Sequence, residues 1–316
     1  MHFARWVGFL GFAGFVGLVG FGACARPTPP VRVVSSGGVE ESAISIGTSY
    51  RFQSKALGEV RTVNVWVPPR GSGPYGPFPV LYVLDGGIDQ DFHHVSGLAQ
   101  LATIAGAFEP PIVVGISTVQ RFTELTAPAL DPRYRRPEDT YGGSAAFRSF
   151  VLDEVVPFVE ARLPVTSRRI LAGESLAGLF VVETLAVAPA AFTDYIAVSP
   201  SLWYDDRRLS KEVATRFGAA NRPATRLYVA MGNEGGTMQR GLDELVAGLA
   251  ALPAAKVSVT LDDRRTSHAH WTIYHPVMLA ALSALLPAPP PSFAPGGYWF
   301  MTEGASPPGW TPPSQP

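Results

Sequence analysis

The segment Gly173-Glu174-Ser175-Leu176-Ala177-Gly178 sets a serine among small residues, just where the apolar run Ile170-Leu171-Ala172 gives way to a helical pattern. This follows the nucleophile-elbow pattern G-x-S-x-G, with Ala177 in the last position. A strand that turns directly into a helix holds its serine in a strained backbone, and bulk two residues to either side collides across the turn. Ser175 is the candidate nucleophile. A serine hydroxyl attacks poorly at neutral pH, so it needs a base, and the base needs an acid to orient it. In elbow-type sites the chain order is serine, acid, histidine. Downstream of Ser175 stand His268, His270 and His275, all after a predicted strand at 256–261. His275, beside Pro276, falls within a predicted helix, which leaves His268 and His270 as alternative bases. For the acid, Glu234 follows the apolar run Leu227–Met231 on a strand-end loop. Asp262 and Asp263 are alternatives whose competing role is surface solvation, and Asp243 falls in mid-helix.

The tetrahedral intermediate of acyl transfer carries a negative charge, which preorganised backbone donors must meet. One is the N–H of Leu176 at the helix start. The second is expected in the turn Leu84-Asp85-Gly86-Gly87, where glycines let the backbone come close to a substrate. Trp203 and Tyr204, just past Ser199-Pro200-Ser201, either line an acyl or aromatic pocket or pack in the core. His268 and His270 with Asp262 or Asp263 would begin a metal site, but no convincing third ligand accompanies them, so neither metal nor cofactor is expected. His93 and His94 read as surface residues at the pocket rim, and Arg133, Arg135 and Arg136 as a solvated basic run.

These groups are far apart in the chain, and only a sheet that gathers its strand ends can bring them together. Residues 60–67 alternate as a half-exposed strand does, whereas 78–84, 112–116, 195–198 and 227–231 are continuous apolar runs suited to strands covered on both faces. Helical spacing fills 147–163 (with a break expected at Pro157), 176–187, 238–252 and 276–286. Alternating strands and helices predict an α/β fold: a mostly parallel central sheet, helices on both faces, and antiparallel N-terminal strands near 45–57 and 59–68. Ligands in such sheets bind at the carboxyl ends of the strands. Between 202 and 225 there is no long insertion of the kind that makes a lid.

The chain has 316 residues, 25 Lys and Arg against 26 Asp and Glu, and a single cysteine. Near-neutral charge argues against a nucleic-acid partner, and one cysteine excludes a disulfide framework. Residues 1–24 read as a signal peptide: Arg5, then a glycine-rich uncharged stretch from Trp6 to Ala23. Gly22-Ala23-Cys24 is a lipobox-like end that would anchor the protein by a lipid on Cys24, while Ala23-Cys24-Ala25 fits ordinary signal cleavage. A tether over 25–43, one domain over 44–286 and a Pro-rich tail over 287–316 complete the expected organisation. Either cleavage implies an exported protein of the bacterial periplasm or cell envelope, with membrane contact only through the anchor.

The segments PVLYVLDGG (79–87), RFTELTAPA (121–129), RRILAGESLAGLF (168–180), RLYVAMGNE (226–234) and HWTIYHP (270–276) occur in this order. Together they resemble the putative-esterase family of α/β-hydrolases, which includes enterochelin and other siderophore esterases, esterase D, feruloyl esterases and the antigen 85 mycolyltransferases. The resemblance spans about 45–286. It implies an α/β-hydrolase fold and a Ser–acid–His mechanism with Ser175, Glu234 and His270. His270-Trp271-Thr272 carries the family's H-x-[ST] pattern, Gly87 takes the position that completes the oxyanion hole, and Arg121 with Glu124 resembles the R-x-x-[DE] loop beside the site. The expected partner is a small-molecule ester such as a siderophore, an acylated sugar or a feruloyl glycan. An acyltransferase of the antigen 85 kind and a silent binding protein on a hydrolase scaffold are the alternatives.

Overall fold

A strand apolar at every position must be covered on both sides, and Phe78–Leu84 shows how. Val80, Tyr82 and Leu84 enter one hydrophobic core and Leu81 and Val83 the other, on opposite faces of one sheet. The computed structural model describes residues 43–69, 76–135, 141–218, 222–252 and 257–288, and the backbone of 32–33 and 40–41. The expected signal peptide with Cys24, nearly all of the tether, the tail beyond residue 288 and Arg136 lie outside the described residues. Residues 1–45 and 46–316 form separate compact units. The first carries a short antiparallel pair, β1 (Arg32–Val33) with β2 (Glu40–Glu41).

The second unit holds an eight-stranded sheet. In chain order its strands are β3 (Thr48–Gln53), β4 (Val60–Trp66), β5 (Phe78–Leu84), β6 (Ile112–Ile116), β7 (Val165–Glu174), β8 (Asp194–Val198), β9 (Thr225–Met231) and β10 (Val257–Asp263). Across the sheet they run β10-β9-β8-β7-β5-β6-β4-β3. From β10 to β6 every pairing is parallel, and β4 and β3 add the antiparallel edge expected from the front of the chain. On one face lie α1 (Phe92–Ala105) and the C-terminal α9 (Tyr274–Leu285), which supply Val95, Ala99, Val277 and Met278 to the core.

The other face is covered by several helices. A run from Ser144 to Glu160 consists of α3 (Ser144–Ser149), a π-helical segment Phe150–Val155, and α4 (Val156–Glu160). The break expected at Pro157 takes the form of this wider turn immediately ahead of the proline, whose missing N–H removes a donor from the helical ladder. Behind the site, α5 (Leu176–Val187) is buried on nearly every side, while α8 (Gly236–Ala250) buries one stripe. Three shorter helices complete the set: α2 (Arg121–Leu125) after β6, and α6 (Tyr204–Lys211) and α7 (Val213–Phe217) between β8 and β9. Among the described residues no helix is long and apolar enough to cross a membrane.

Candidate active site

The elbow is a single residue. β7 ends at Glu174, α5 begins at Leu176, and Ser175 between them has φ 59° and ψ −117°. A non-glycine residue keeps such a backbone only when its surroundings enforce it. Ser175 N–H donates to the Val198 carbonyl at 3.0 Å, and the Ser175 carbonyl accepts from Leu179 N–H and Ser201 N–H, both at 2.9 Å. A Cβ on Gly173 would lie 2.6 Å from the Ala177 methyl. The glycine at 173 is thus what admits alanine at 177, where the pattern has glycine. A Cβ on Gly178 would lie 3.0 Å from the Val198 carbonyl oxygen, so the close approach of helix to strand falls one residue further along.

The structure separates the two candidate bases. His270 Nδ1 is 2.9 Å from Glu234 Oε1. The Glu234 side chain is only 7% exposed and the imidazole 32% exposed. A carboxylate on Nδ1 puts the proton there and leaves Nε2 as the basic nitrogen. His268 Nδ1 instead meets Ser267 Oγ at 2.8 Å. Asp262 is taken by Arg264 at 2.6 Å and by the Tyr228 hydroxyl at 2.8 Å, Asp263 by Arg265, and Asp243 by Gln239 on α8. The loops that carry Glu234 and His270 are stitched together, since Asn233 N–H donates to the His268 carbonyl at 2.9 Å. The Ser175 hydroxyl lies 3.2 Å from Ser201 Oγ, and no Ser175–His270 hydrogen bond occurs among the described residues.

Charges in the site follow from these contacts. Hydrogen bonding to Glu234 holds His270 above the ordinary histidine value, with burial opposing and the nearby Glu174 adding to the rise. Burial works to raise the Glu234 carboxyl, but hydrogen bonding, led by His270, holds it below the usual carboxylate range. Glu174, beside the nucleophile, is pushed up to about 7, chiefly by burial. Burial, reinforced by the Asp85 charge, raises Asp91 to about 6.

The turn after β5 is clamped from several sides. Asp85 has φ 52° and accepts hydrogen bonds from the Thr118 hydroxyl and, at 2.8 Å, from Arg121 Nε. Gly86 N–H donates to the Ile116 carbonyl at 2.9 Å, and Asn64 Nδ2 donates to the Gly86 carbonyl at 2.9 Å. Gly86 and Gly115 face each other so closely that a Cβ on Gly86 would lie 2.3 Å from the Gly115 Cα. Gly87 N–H, the expected second oxyanion donor, donates to Gln90 Oε1 at 2.9 Å. Leu176 opens α5, where an N–H has no intrahelical acceptor.

Arg121 and Glu124 do not pair with each other. The Arg121 side chain is 39% exposed, with its other contact to the Glu174 carbonyl at 3.3 Å, so it bridges the turn after β5 and the elbow strand. Glu124 is claimed by buried Arg61 of β4 through two bonds of 2.6 and 3.0 Å. Trp203 stacks on Tyr134 with ring centroids 5.9 Å apart and packs against the core. Of the two histidines expected at the surface, His93 is exposed, but His94 is partly buried against His275, at 4.0 Å between centroids. Burial, with His275 adding, lowers His94 to about 4. Gln90, Ser201, Glu174 and Trp271 also belong to this region and were not singled out from the sequence for a role in it. Trp271 alone carried a legible signal, its place directly after His270 in the chain; in the structure it is 85% exposed. Among the described residues no group of three or more His, Cys, Asp or Glu is arranged to hold a metal.

Comparison with known proteins points the same way. The profile of the family described as Putative esterase matches residues 54–280. A siderophore enterobactin esterase of Emericella nidulans is 34% identical over 135 residues, 39% of this chain and 44% of that protein. The ferri-bacillibactin esterase BesA of Bacillus subtilis is 28% identical over 189 residues, 54% of this chain and 64% of the relative. These matches span less than two thirds of either relative's length. Among solved structures, the BES protein from Bacillus cereus superposes with a TM-score of 0.68 at 21% identity, covering 78% of this chain and 99% of that one. An IroE-like serine hydrolase from Shewanella oneidensis gives 0.65 at 24% identity, covering 76% and 80%. At such identities the likeness is one of fold.

Proposed function

The chain belongs to the putative-esterase family, and from that premise we propose that it is a serine carboxylic ester hydrolase working through an acyl-enzyme. The observation that carries this reading is the Glu234–His270 pair at 2.9 Å, found with a serine held at φ 59° in a strand-to-helix elbow. For the attack the Ser175 hydroxyl must leave Ser201, 3.2 Å away, and turn to His270 Nε2. The imidazole accepts the proton as Oγ adds to the ester carbonyl, and Glu234 stabilises the imidazolium. The N–H groups of Leu176 and Gly87 receive the oxyanion. Collapse expels the alcohol, which takes the proton from His270. Water then enters by the same base catalysis and releases the acid.

The relatives named as siderophore and ferri-bacillibactin esterases support a siderophore-type ester as substrate. Trp271, exposed beside the base, offers a flat face to an aryl group such as a catechol. Arg121, 39% exposed and close enough to His270 to act on its charge, suits an anionic one. The uncharged stretch before Cys24 supports export, with the cysteine as lipid anchor. Ser175→Ala should abolish both turnover of p-nitrophenyl acetate and labelling by a fluorophosphonate; retained turnover would refute the mechanism. Mass spectrometry of the products from a catechol trilactone, with and without an acceptor alcohol, separates hydrolysis from acyl transfer. The mass of the mature N-terminus reports whether Cys24 is lipidated.

A further inference from the structure

The expected oxyanion donor is already engaged. Gly87 N–H donates to Gln90 Oε1 at 2.9 Å, and Gln90 Nε2 donates to Thr118 Oγ1 at 3.0 Å and to the Thr118 carbonyl at 3.3 Å. A carbonyl can only accept, so this contact fixes which end of the Gln90 amide is NH2 and directs its oxygen to Gly87. The Thr118 hydroxyl continues to Asp85, and Asp85 to Arg121. The Gln90 oxygen is therefore the end of a built chain of hydrogen bonds. The backbone agrees: Gln90 N–H donates to the Gly87 carbonyl at 3.1 Å, closing the turn on itself. A Cβ at 87 would lie 2.7 Å from Asp89 Oδ1 and 2.8 Å from Gln90 Oε1, so both side chains come close over this glycine.

One N–H makes one good hydrogen bond, so Gln90 and a substrate oxygen compete for it. From this geometry we propose that Gln90 caps the second oxyanion donor in the free protein and swings aside as charge develops on the substrate carbonyl. The proposal rests on the esterase reading above. An ester carbonyl in the ground state is no better an acceptor than the Gln90 amide and gains little by displacing it. An oxyanion forms a charge-assisted bond about twice as strong and displaces it readily. The cap thus withholds the donor from the ground state and releases it to the transition state, so its cost appears as weaker substrate binding, in KM, and hardly in kcat.

The test compares wild type, Gln90→Met and Gln90→Glu. Methionine keeps the length of the side chain but offers almost no acceptor, and glutamate offers a stronger one. Expected is a rise in kcat/KM for p-nitrophenyl acetate of about 3- to 10-fold in Gln90→Met, seen mainly as a lower KM, from losing one neutral competitor. Gln90→Glu should fall by about 10-fold at neutral pH. Fluorophosphonate labelling rates should follow the same order, and thermal unfolding of all three proteins shows that each is folded. Opposite effects from two substitutions at one site are not what general damage produces. An active wild type with Gln90→Met no faster overturns the cap and leaves the esterase reading standing. A wild type inert to both reagents overturns the esterase reading and the cap with it.

Discussion

Replacing Glu234 by glutamine tests the proposed chemistry at its most quantitative point. As Ser175 attacks, His270 becomes an imidazolium 2.9 Å from the Glu234 carboxylate. Two unit charges at that separation attract by about 6 kcal/mol at an effective dielectric of 20 and by about 3 kcal/mol at 40. The site lies within this range, because the carboxylate side chain is 7% exposed and the imidazole 32%. Each 1.36 kcal/mol is about tenfold in rate, so the loss in kcat should fall between about 10²- and 10⁴-fold. Glutamine adds a second fault, since its NH2 can donate to Nδ1 and so favours the tautomer with the proton on Nε2. The pH profile gives an independent readout. His270 must be neutral to act as base, and its bond to Glu234 holds its proton above the ordinary histidine value. Wild-type kcat/KM should therefore rise with pH through a limb above about 6.5 and then level off. In Glu234→Gln the limb should move to lower pH while its plateau drops. Initial rates with p-nitrophenyl acetate across the pH range measure both quantities, and Asp262→Asn, whose carboxylate serves Arg264 and Tyr228, is the silent control. A loss below tenfold, or an unmoved limb, would show that Glu234 is not the acid of this site.

Other outcomes follow from packing. Arg61→Met strands the buried Glu124 carboxylate and should cost about 3–5 kcal/mol in urea unfolding, as removing one partner of a buried pair does; a cost under 1 kcal/mol would show that the pair is not the clasp holding the Arg121 loop. Ala177→Gly should keep full activity while losing up to about 1 kcal/mol of stability, the ordinary price of glycine in a helix. Gly173→Ala meets the Ala177 methyl head-on and should cost about 1–3 kcal/mol and most of the fluorophosphonate labelling. Trp271→Ala should leave stability within about 0.5 kcal/mol but raise KM for aryl-bearing esters relative to acetyl esters.

Much of the fold could be read because burial on both faces writes an uninterrupted apolar run. The predicted and observed limits coincide for Phe78–Leu84 and Ile112–Ile116 for that reason. The elbow was legible because a strained turn tolerates so few residues around it. What stayed hidden depends on which distant loops meet. Spacing could not say which of His268 and His270 meets Glu234, since that depends on how two distant loops come together. Arg121 and Glu124 have the spacing of partners, yet Arg61, 63 residues before the glutamate on an edge-side strand, takes it first. Likewise His94 is covered by His275 from a helix at the other end of the domain, which no local pattern records.

The back-to-back approach of Gly86, in the turn after β5, and Gly115, within β6, makes two distant positions answer to each other. An added methyl on either would drive into the main chain of the other, and no rotamer can relieve a collision with backbone. Engineers who diversify this turn to change substrate choice will find latitude at solvent-facing Ile88 and Asp89 and almost none at Gly86. A paired substitution would fare no better, because enlarging both sides only widens the wedge between the turn and β6. The outer residues of the turn can be remodelled; its inner glycine is interlocked with the sheet.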